Sequence, residues 1–95
     1  MSSDAKRIEI LKRAAEVTGG ERQDSYGPVK RNLDNIAILW MAYLQVKTGQ
    51  LVPIGSEDVA WMMGLMKTAR SVNAYHEDNY VDAAAYAAIA GECRE

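Results

Sequence analysis

The sequence predicts an all-α protein, an antiparallel bundle of about four helices. Three observations predict this class. Alanine, leucine and methionine are plentiful while phenylalanine is absent, and apolar residues recur at the three- and four-residue spacing of helices. Glycine and proline fall in a few places, where they divide the chain into four segments. A chain of 95 residues is one domain by length, so we expect residues 1–95 to form a single unit.

The first two segments each have a helical pattern and a recognisable limit. The first is predicted from about Asp4 to Thr18, and Gly19-Gly20 ends it because glycine readily takes the left-handed conformation of a C-cap. A polar loop follows over residues 21–27. The second helix is predicted from Pro28, a favoured first helical residue, to about Val46. The apolar positions expected to face the core are Ile8, Leu11, Ala15 and Thr18 in the first helix and Val29, Leu33, Ile36, Trp40, Tyr43 and Leu44 in the second.

The third and fourth segments complete the bundle. Ser56 is a good N-cap for a helix to about Val72, and the acids that follow it suit the positive end of the helix dipole. The last helix is predicted from about Asn79 to Cys93. Alanine covers most of its circumference, which predicts a central helix that its neighbours approach closely.

Composition excludes several classes of protein. Hydrophobic residues make up 48% and charged residues 25%, with a net charge of -2, so neither disorder nor a basic nucleic-acid surface is expected. No apolar run approaches the roughly 20 residues of a membrane span. A lone cysteine, Cys93, and a polar N-terminus without a signal peptide predict a cytoplasmic protein.

Polar side chains fall on the predicted buried faces of three helices. At about 100° per residue, Asp58 falls on the apolar face of the third helix, which is made by Val59, Met62, Leu65, Met66 and Ala69. Asn32 shares the face of Ile36 and Leu39 in the second helix. Asn79 and Asp82 share the face that carries Tyr86 and Ile89 in the fourth helix. A bare buried carboxylate costs several kcal/mol unless it is paired, hydrogen-bonded or bound to a metal. Convergence on Mg²⁺ or Mn²⁺, which take oxygen ligands, is one explanation.

Simpler explanations remain open for each of these residues. Asp58 suits a helix N-terminus for dipole reasons alone, and Asn79 is a possible N-cap. Asp82 has a structural alternative, an ion pair with Lys67 or Arg70. Asn32 has one too, a hydrogen bond to neighbouring backbone. Lys67 and Arg70 lie three apart, which predicts either a phosphate-binding pair or a solvated cationic helix end.

The stretch from Asn79 to Ala87 resembles the MazG-like, all-α nucleoside triphosphate pyrophosphatases. That superfamily has two acidic motifs, ExxE and ExxD; Glu57-Asp58 stands roughly at the first, and Asn79-x-x-Asp82 at the second. The positions three after Glu57 and Asp58 are Ala60 and Trp61, so ExxE is incomplete. The chain is most similar to a small phage-encoded branch through the pieces Arg22-x-x-Ser25-Tyr26-Gly27, Asn32 to Trp40, Glu57-Asp58-Val59-Ala60, Lys67-x-x-Arg70 and Val81-Asp82.

The resemblance implies a Mg²⁺- or Mn²⁺-dependent hydrolase that releases pyrophosphate from a (d)NTP. Glu57, Asp58 and Asp82 would be catalytic, and with Asn79 would hold the metal. Substrate phosphates would meet Lys67 and Arg70, and Asn32 would also contact substrate. The incomplete motifs keep two alternatives open, a nucleotide-binding module without catalysis and a helical interaction or regulatory protein. A homodimer or homotetramer is expected, because relatives complete their site across subunits and a short chain buries little core alone.

Overall fold

Four α-helices account for nearly all of the described chain. A computed structural model describes residues 3–18 and 26–94, and the side chains of residues 5–18 and 28–94. The helices are α1 (Ser3–Thr18), α2 (Tyr26–Thr48), α3 (Ser56–Asn73) and α4 (Glu77–Cys93), with no strand among the described residues. The all-α class and the four helices are therefore confirmed. Tyr26 and Gly27, predicted as loop, instead begin α2, while Gly19-Gly20 and the rest of that loop lie outside the described residues.

The helices lie side by side in the order α1, α4, α3, α2. The α3–α4 contact is the most extensive, and α1 packs on α4 while α2 packs on α3. Ion pairs join Lys67 to Asp82 and Glu57 to Arg94, so α3 and α4 run antiparallel. The alanine-rich α4 is an inner helix, as the sequence predicted, and it shares that position with α3.

Small side chains allow the close contacts of α4. One buried cluster joins α2, α3 and α4 through Leu33, Ala37, Val59, Ala60 and Ala90. A second joins α1 to α4 through Ala14, Val81 and Ala85. Gly64 of α3 faces α4, where a Cβ would lie 3.8 Å from that of Tyr86. Burial within the chain therefore depends on alanine, glycine and valine more than on large side chains.

The fold is an open layer of helices. Its radius of gyration is 15.3 Å, whereas a compact domain of this length has a value of about 12 Å. The principal dimensions are 53 × 34 × 17 Å. Since a helix with its side chains is about 10–12 Å wide, the thin dimension leaves little room for a second layer of helices.

The predicted buried face of α3 is confirmed only at its start. It was expected to carry Val59, Met62, Leu65, Met66 and Ala69; Val59 is buried, but the other four are exposed. Ala60, Met63 and Lys67, each one residue further along the chain than a member of that face, are buried or half-buried instead. The reason is steric, because Ala60 and Gly64 let α3 lie close against the alanine surface of α4.

The apolar stripe of α1 shows the same reversal. Ile8 and Leu11 are exposed, whereas Ile10 and Ala14 pack against α4. In α2 the stripe is confirmed from Val29 to Trp40, but Tyr43 is exposed. Large apolar side chains of α1, α2 and α3 thus point away from the chain's own core, although Trp40 and Met63 pack against it.

The residues that cap α3 and α4 differ from those that the sequence suggested. Gly55 is the N-cap of α3, and Ser56, expected to be the cap, is a buried helical residue. His76 is the N-cap of α4, so the expectation that Asn79 caps this helix is wrong. Gly49 ends α2 with a φ of 75° and donates its backbone N–H to Gln45 O at 2.8 Å. This left-handed position favours glycine.

Candidate functional site

An ion pair between the inner helices contains two of the predicted site residues. Lys67 Nζ lies 3.0 Å from Asp82 Oδ2, and the two side chains are 15% and 33% exposed. Lys67 comes from the second half of α3 and Asp82 from the second turn of α4. The antiparallel hairpin brings them together. The sequence had placed a structural ion pair of Asp82 among its alternatives, and the geometry confirms that contact.

Asn79 and Arg70 lie near this ion pair along their helices. Asn79 is 8% exposed and is one turn before Asp82, so both residues are on the same side of α4. Its backbone N–H donates to His76 O at 3.0 Å. Arg70 is exposed in the last turn of α3, one turn after Lys67, and forms no ion pair with the described side chains. Cation, carboxylate and amide thus collect at one end of the hairpin.

Glu57 lies at the opposite end of the hairpin. Its carboxylate accepts hydrogen bonds from Arg94 Nε and Nη2, each at 3.0 Å, and from Trp61 Nε1 at 3.1 Å. The Arg94 guanidinium, and after it the Trp61 indole, hold the pKa of Glu57 below its usual range. These donors favour the ionised carboxylate without any metal.

Asp58 is exposed and caps its own helix. Its Oδ2 accepts the backbone N–H of Gly55 at 2.9 Å, which is the reach-back half of a capping box. The expectation that this carboxylate faces the core of the chain is wrong, because the side of α3 that carries Met62 and Leu65 is itself exposed. The simpler explanation from the sequence, that Asp58 belongs at a helix N-terminus, is confirmed by its position in the first turn of α3.

The predicted metal ligands do not converge within one chain. Lys67, which marks the position of Asp82, lies ten residues after Glu57 on α3, and ten residues of helix span about 15 Å. Among the residues that the structure describes, no three His, Cys, Asp or Glu side chains are placed to hold a metal ion together. Glu57 and Asp58 therefore form one group, and Asn79 and Asp82 another.

Asn32 lies apart from both groups. It is exposed on α2, so the expectation that it faces the core is wrong. The neighbouring Leu33 is buried instead, because α2 turns the side of Leu33 and Ala37 toward α3.

Sequence reasoning missed an ion-pair cluster at the start of α4. Glu77 pairs with both Lys6 and Arg13 of α1, and Arg13 Nη2 lies 2.6 Å from Asp78 Oδ1. Lys6, and then Arg13, hold the pKa of Glu77 below its usual range. The available signal was the acidic pair Glu77-Asp78, which the sequence placed in a loop although it forms the first turn of α4. The cluster fixes α1 on α4.

An apolar groove opens between α2 and α3. It has a volume of about 240 Å³ and is lined by Trp40, Tyr43, Leu44, Ile54 and Met62. None of these side chains is charged, so the groove suits an apolar occupant rather than a phosphate.

None of the helices over the described residues is long and apolar enough to cross a membrane.

Comparison with known proteins shows that this chain is similar to phage proteins. The family model described as a domain of unknown function, DUF6378, matches residues 9–94. The chain is 46% identical over 83 residues to the Gene 55 protein of Mycobacterium phage L5, covering 86% of this chain and 50% of that protein. It is 38% identical over 79 residues to the Gene 55 protein of Mycobacterium phage D29, covering 82% and 48%. The chain thus spans about half the length of these relatives. No solved structure matches it.

Proposed function

We propose that this chain, which belongs to the DUF6378 family, is a Mg²⁺-dependent nucleotide pyrophosphohydrolase of phage origin. Its metal and phosphate ligands would lie at the Asp82 end of the α3–α4 hairpin. The observation that carries the proposal is the 3.0 Å contact between Lys67 and Asp82. The sequence assigned one of these residues to phosphate and the other to metal, and a metal-bound triphosphate needs both kinds of ligand side by side.

The donor atoms at this end of the hairpin fit a hard cation. Asp82 offers a carboxylate and Asn79 an amide oxygen, and Mg²⁺ is commonly held by one or two protein oxygens together with water and substrate phosphates. Bound there, the metal would activate water and stabilise the charge that develops on the phosphates. The ammonium of Lys67 now neutralises Asp82.

Ligand binding would exchange the partners of this ion pair. Asp82 would turn to the metal, and Lys67 to a phosphate oxygen. Arg70, exposed one turn further along α3, would add a planar donor that suits phosphate. Glu57 and Asp58 are about 15 Å away along α3, so they would reach such a site from a second copy rather than from the same chain. Asn32, on α2, would contact the nucleotide beyond its phosphates.

Pyrophosphate release from a panel of (d)NTPs with Mg²⁺ tests the proposal. The wild-type protein should release pyrophosphate from at least one nucleotide, and Asp82→Asn should abolish the release. Asp34→Asn is the matched control, because Asp34 forms a partly exposed ion pair with Lys30 within α2, away from the proposed site, and should keep full activity. If no nucleotide in the panel is hydrolysed, the enzyme proposal fails.

A second candidate is a protein that does not hydrolyse nucleotides. It is favoured by the protein partner that each acid already has: Lys67 for Asp82, Arg94 for Glu57 and the Gly55 amide for Asp58. Calorimetry separates the two forms of this candidate. Binding of a nucleotide and Mg²⁺ without turnover supports a nucleotide-binding module, whereas absence of any heat or thermal shift supports a helical interaction protein.

A further inference from the structure

Two exposed apolar rows run along neighbouring helices. On α2 the row contains Ile36, Leu39, Tyr43 and Val46, and on α3 it contains Met62, Leu65, Ala69 and Val72. Within each row the spacing alternates between three and four residues, which is the heptad spacing of helices that pack against other helices. Apart from the half-buried Ile36, every side chain in the two rows is exposed, and Leu39 and Leu65 are 68% and 65% exposed.

The two rows meet at one groove between α2 and α3, and we call the two rows together the α2–α3 seam. Tyr43 from the first row and Met62 from the second line the same apolar groove. No member of either row is charged; Lys67 and Arg70, which come between Met62 and Val72 in the sequence, lie outside the row on α3. Single exposed apolar residues are ordinary on protein surfaces, but contiguous patches mark interaction sites.

We propose that a second copy of this chain covers the α2–α3 seam and closes a bundle of helices from two chains. A layer one helix thick has a second apolar face that needs covering. The chain exposes 6859 Å², about a quarter more than the roughly 5,400 Å² expected for a compact monomer of this mass. That excess exceeds the roughly 800 Å² that each partner contributes to an interface of standard size. Counted for both chains together, it is within the range of obligate homodimer interfaces.

Charge favours antiparallel packing of the two α3 helices. The row on α3 continues at its start to Asp58, four residues before Met62, and Arg70 lies exposed near its end. Antiparallel packing about a two-fold axis near Leu65 brings Asp58 of each chain to the Arg70 end of the other. Parallel packing would instead bring like charges together. A two-fold axis also makes the contact self-complementary and closed.

The seam accounts for the reversed face of α3 and for the exposure of Tyr43 on α2. Met62, Leu65 and Ala69 have a core-facing pattern because they face the core of the dimer rather than that of one chain. The polar residues that share these rows, Asp58 and Asn32, lie at their ends, where a partially solvated interface rim tolerates them. The antiparallel arrangement also carries Asp58 toward the end of the partner at which the hairpin joins Lys67 to Asp82.

Light scattering across a concentration series tests the seam directly. The wild-type protein should have at least twice the chain mass of 10.5 kDa, and Leu65→Glu should reduce an isolated dimer to the chain mass, or halve a larger assembly. Ile38→Glu is the matched control, since Ile38 is 58% exposed on α2 but lies outside the seam; its mass should equal that of the wild type. A monomeric wild type, or an assembly that Ile38→Glu but not Leu65→Glu dissociates, overturns the proposal.

A cross-linking variant keeps the test decisive if Leu65→Glu fails to fold. In Leu65→Cys with Cys93→Ser, a short bismaleimide should join two chains covalently, because the two Leu65 positions lie near the two-fold axis. Ile38→Cys in the same background should remain uncross-linked. Equal cross-linking of both variants would contradict the seam. Neither measurement depends on nucleotide hydrolysis, so the seam and the proposed activity stand or fall separately.

Discussion

The contacts around α4 differ in their chemistry from the outward sides of α2 and α3. Around α4, small residues pack closely, and ion pairs from Lys6, Arg13, Lys67 and Arg94 connect neighbouring helices. The α2–α3 seam consists of exposed apolar residues, most of them large, and none of its members is charged. Charged pairs require specific partners and geometry, whereas apolar area needs only to be covered. The difference indicates that the chain fixes its own arrangement around α4 and leaves the seam to a partner.

A charge placed at the α4 contact should have the largest effect. Val59 is completely buried between α2, α3 and α4. Val59→Asp would leave an unpaired carboxylate there, so we expect a loss of at least about 3 kcal/mol in the free energy of unfolding, enough to prevent folding. Urea titration followed by circular dichroism measures it. Val72→Asp on the seam is the comparison variant and should retain its helices. Equal unfolding of both would show that the two regions do not differ.

The ion pair between the inner helices should contribute a moderate coupling. A double-mutant cycle of Lys67→Met and Asp82→Asn should give a coupling energy of about 1 kcal/mol, because both side chains are partly shielded from solvent. The pair Lys30–Asp34, four apart on α2 and more exposed, should give about 0.3 kcal/mol in a matched cycle. A coupling at Lys67–Asp82 no larger than that at Lys30–Asp34 would remove the structural role of the pair.

Lowering the pH should weaken the contact between α1 and α4 before it affects the seam. The pKa of Glu77 is held below its usual value by Lys6 and then Arg13. A lowered folded-state pKa means that the ionised group stabilises the fold above its ordinary pKa, near 4.5, and that this contribution is lost as the pH falls through the folded value. Glu77→Gln should therefore lower stability at pH 7 and flatten its dependence on pH below about 5.

Urea titrations of wild type and Glu77→Gln across that pH range measure the effect. Glu16→Gln, an exposed position on α1, is the control and should follow the wild-type curve. Parallel curves for wild type and Glu77→Gln would mean that the cluster with Lys6 and Arg13 does not form in solution.

The positions of the helices could be predicted from the sequence, but the side of each helix that is buried could not. Periodicity and the punctuation by glycine and proline located all four helices to within about two residues at each end. Apolar spacing predicts that Met62 and Leu65 pack against another surface. It does not show whether the covering surface belongs to the same chain. The alanine-rich α4 selected the small-residue side of α3, and that choice depends on close steric fit between the two helices.

The candidate site was predictable in part for a related reason. Lys67 and Asp82 were both identified from the sequence, and their contact follows from the antiparallel hairpin. Glu57 and Asp58 were grouped with them because the resemblance assigns its two acidic motifs, one on each helix, to a single metal site. The register of α3 against α4 places them at the other end, and register is set by packing along the whole hairpin rather than by a motif.

The central claim is that the α2–α3 seam is an interface between two copies, and nuclear Overhauser effects between differently labelled chains test it most directly. In a mixed sample of isotope-labelled and unlabelled protein, the methyl groups of Met62 and Ala69 should show intermolecular contacts with Leu65 or Tyr43 of the other chain. The methyl groups of Ile38, outside the seam, should show none. Intermolecular contacts at Ile38 with none at Met62 and Ala69, or no intermolecular contacts at all, would contradict the account.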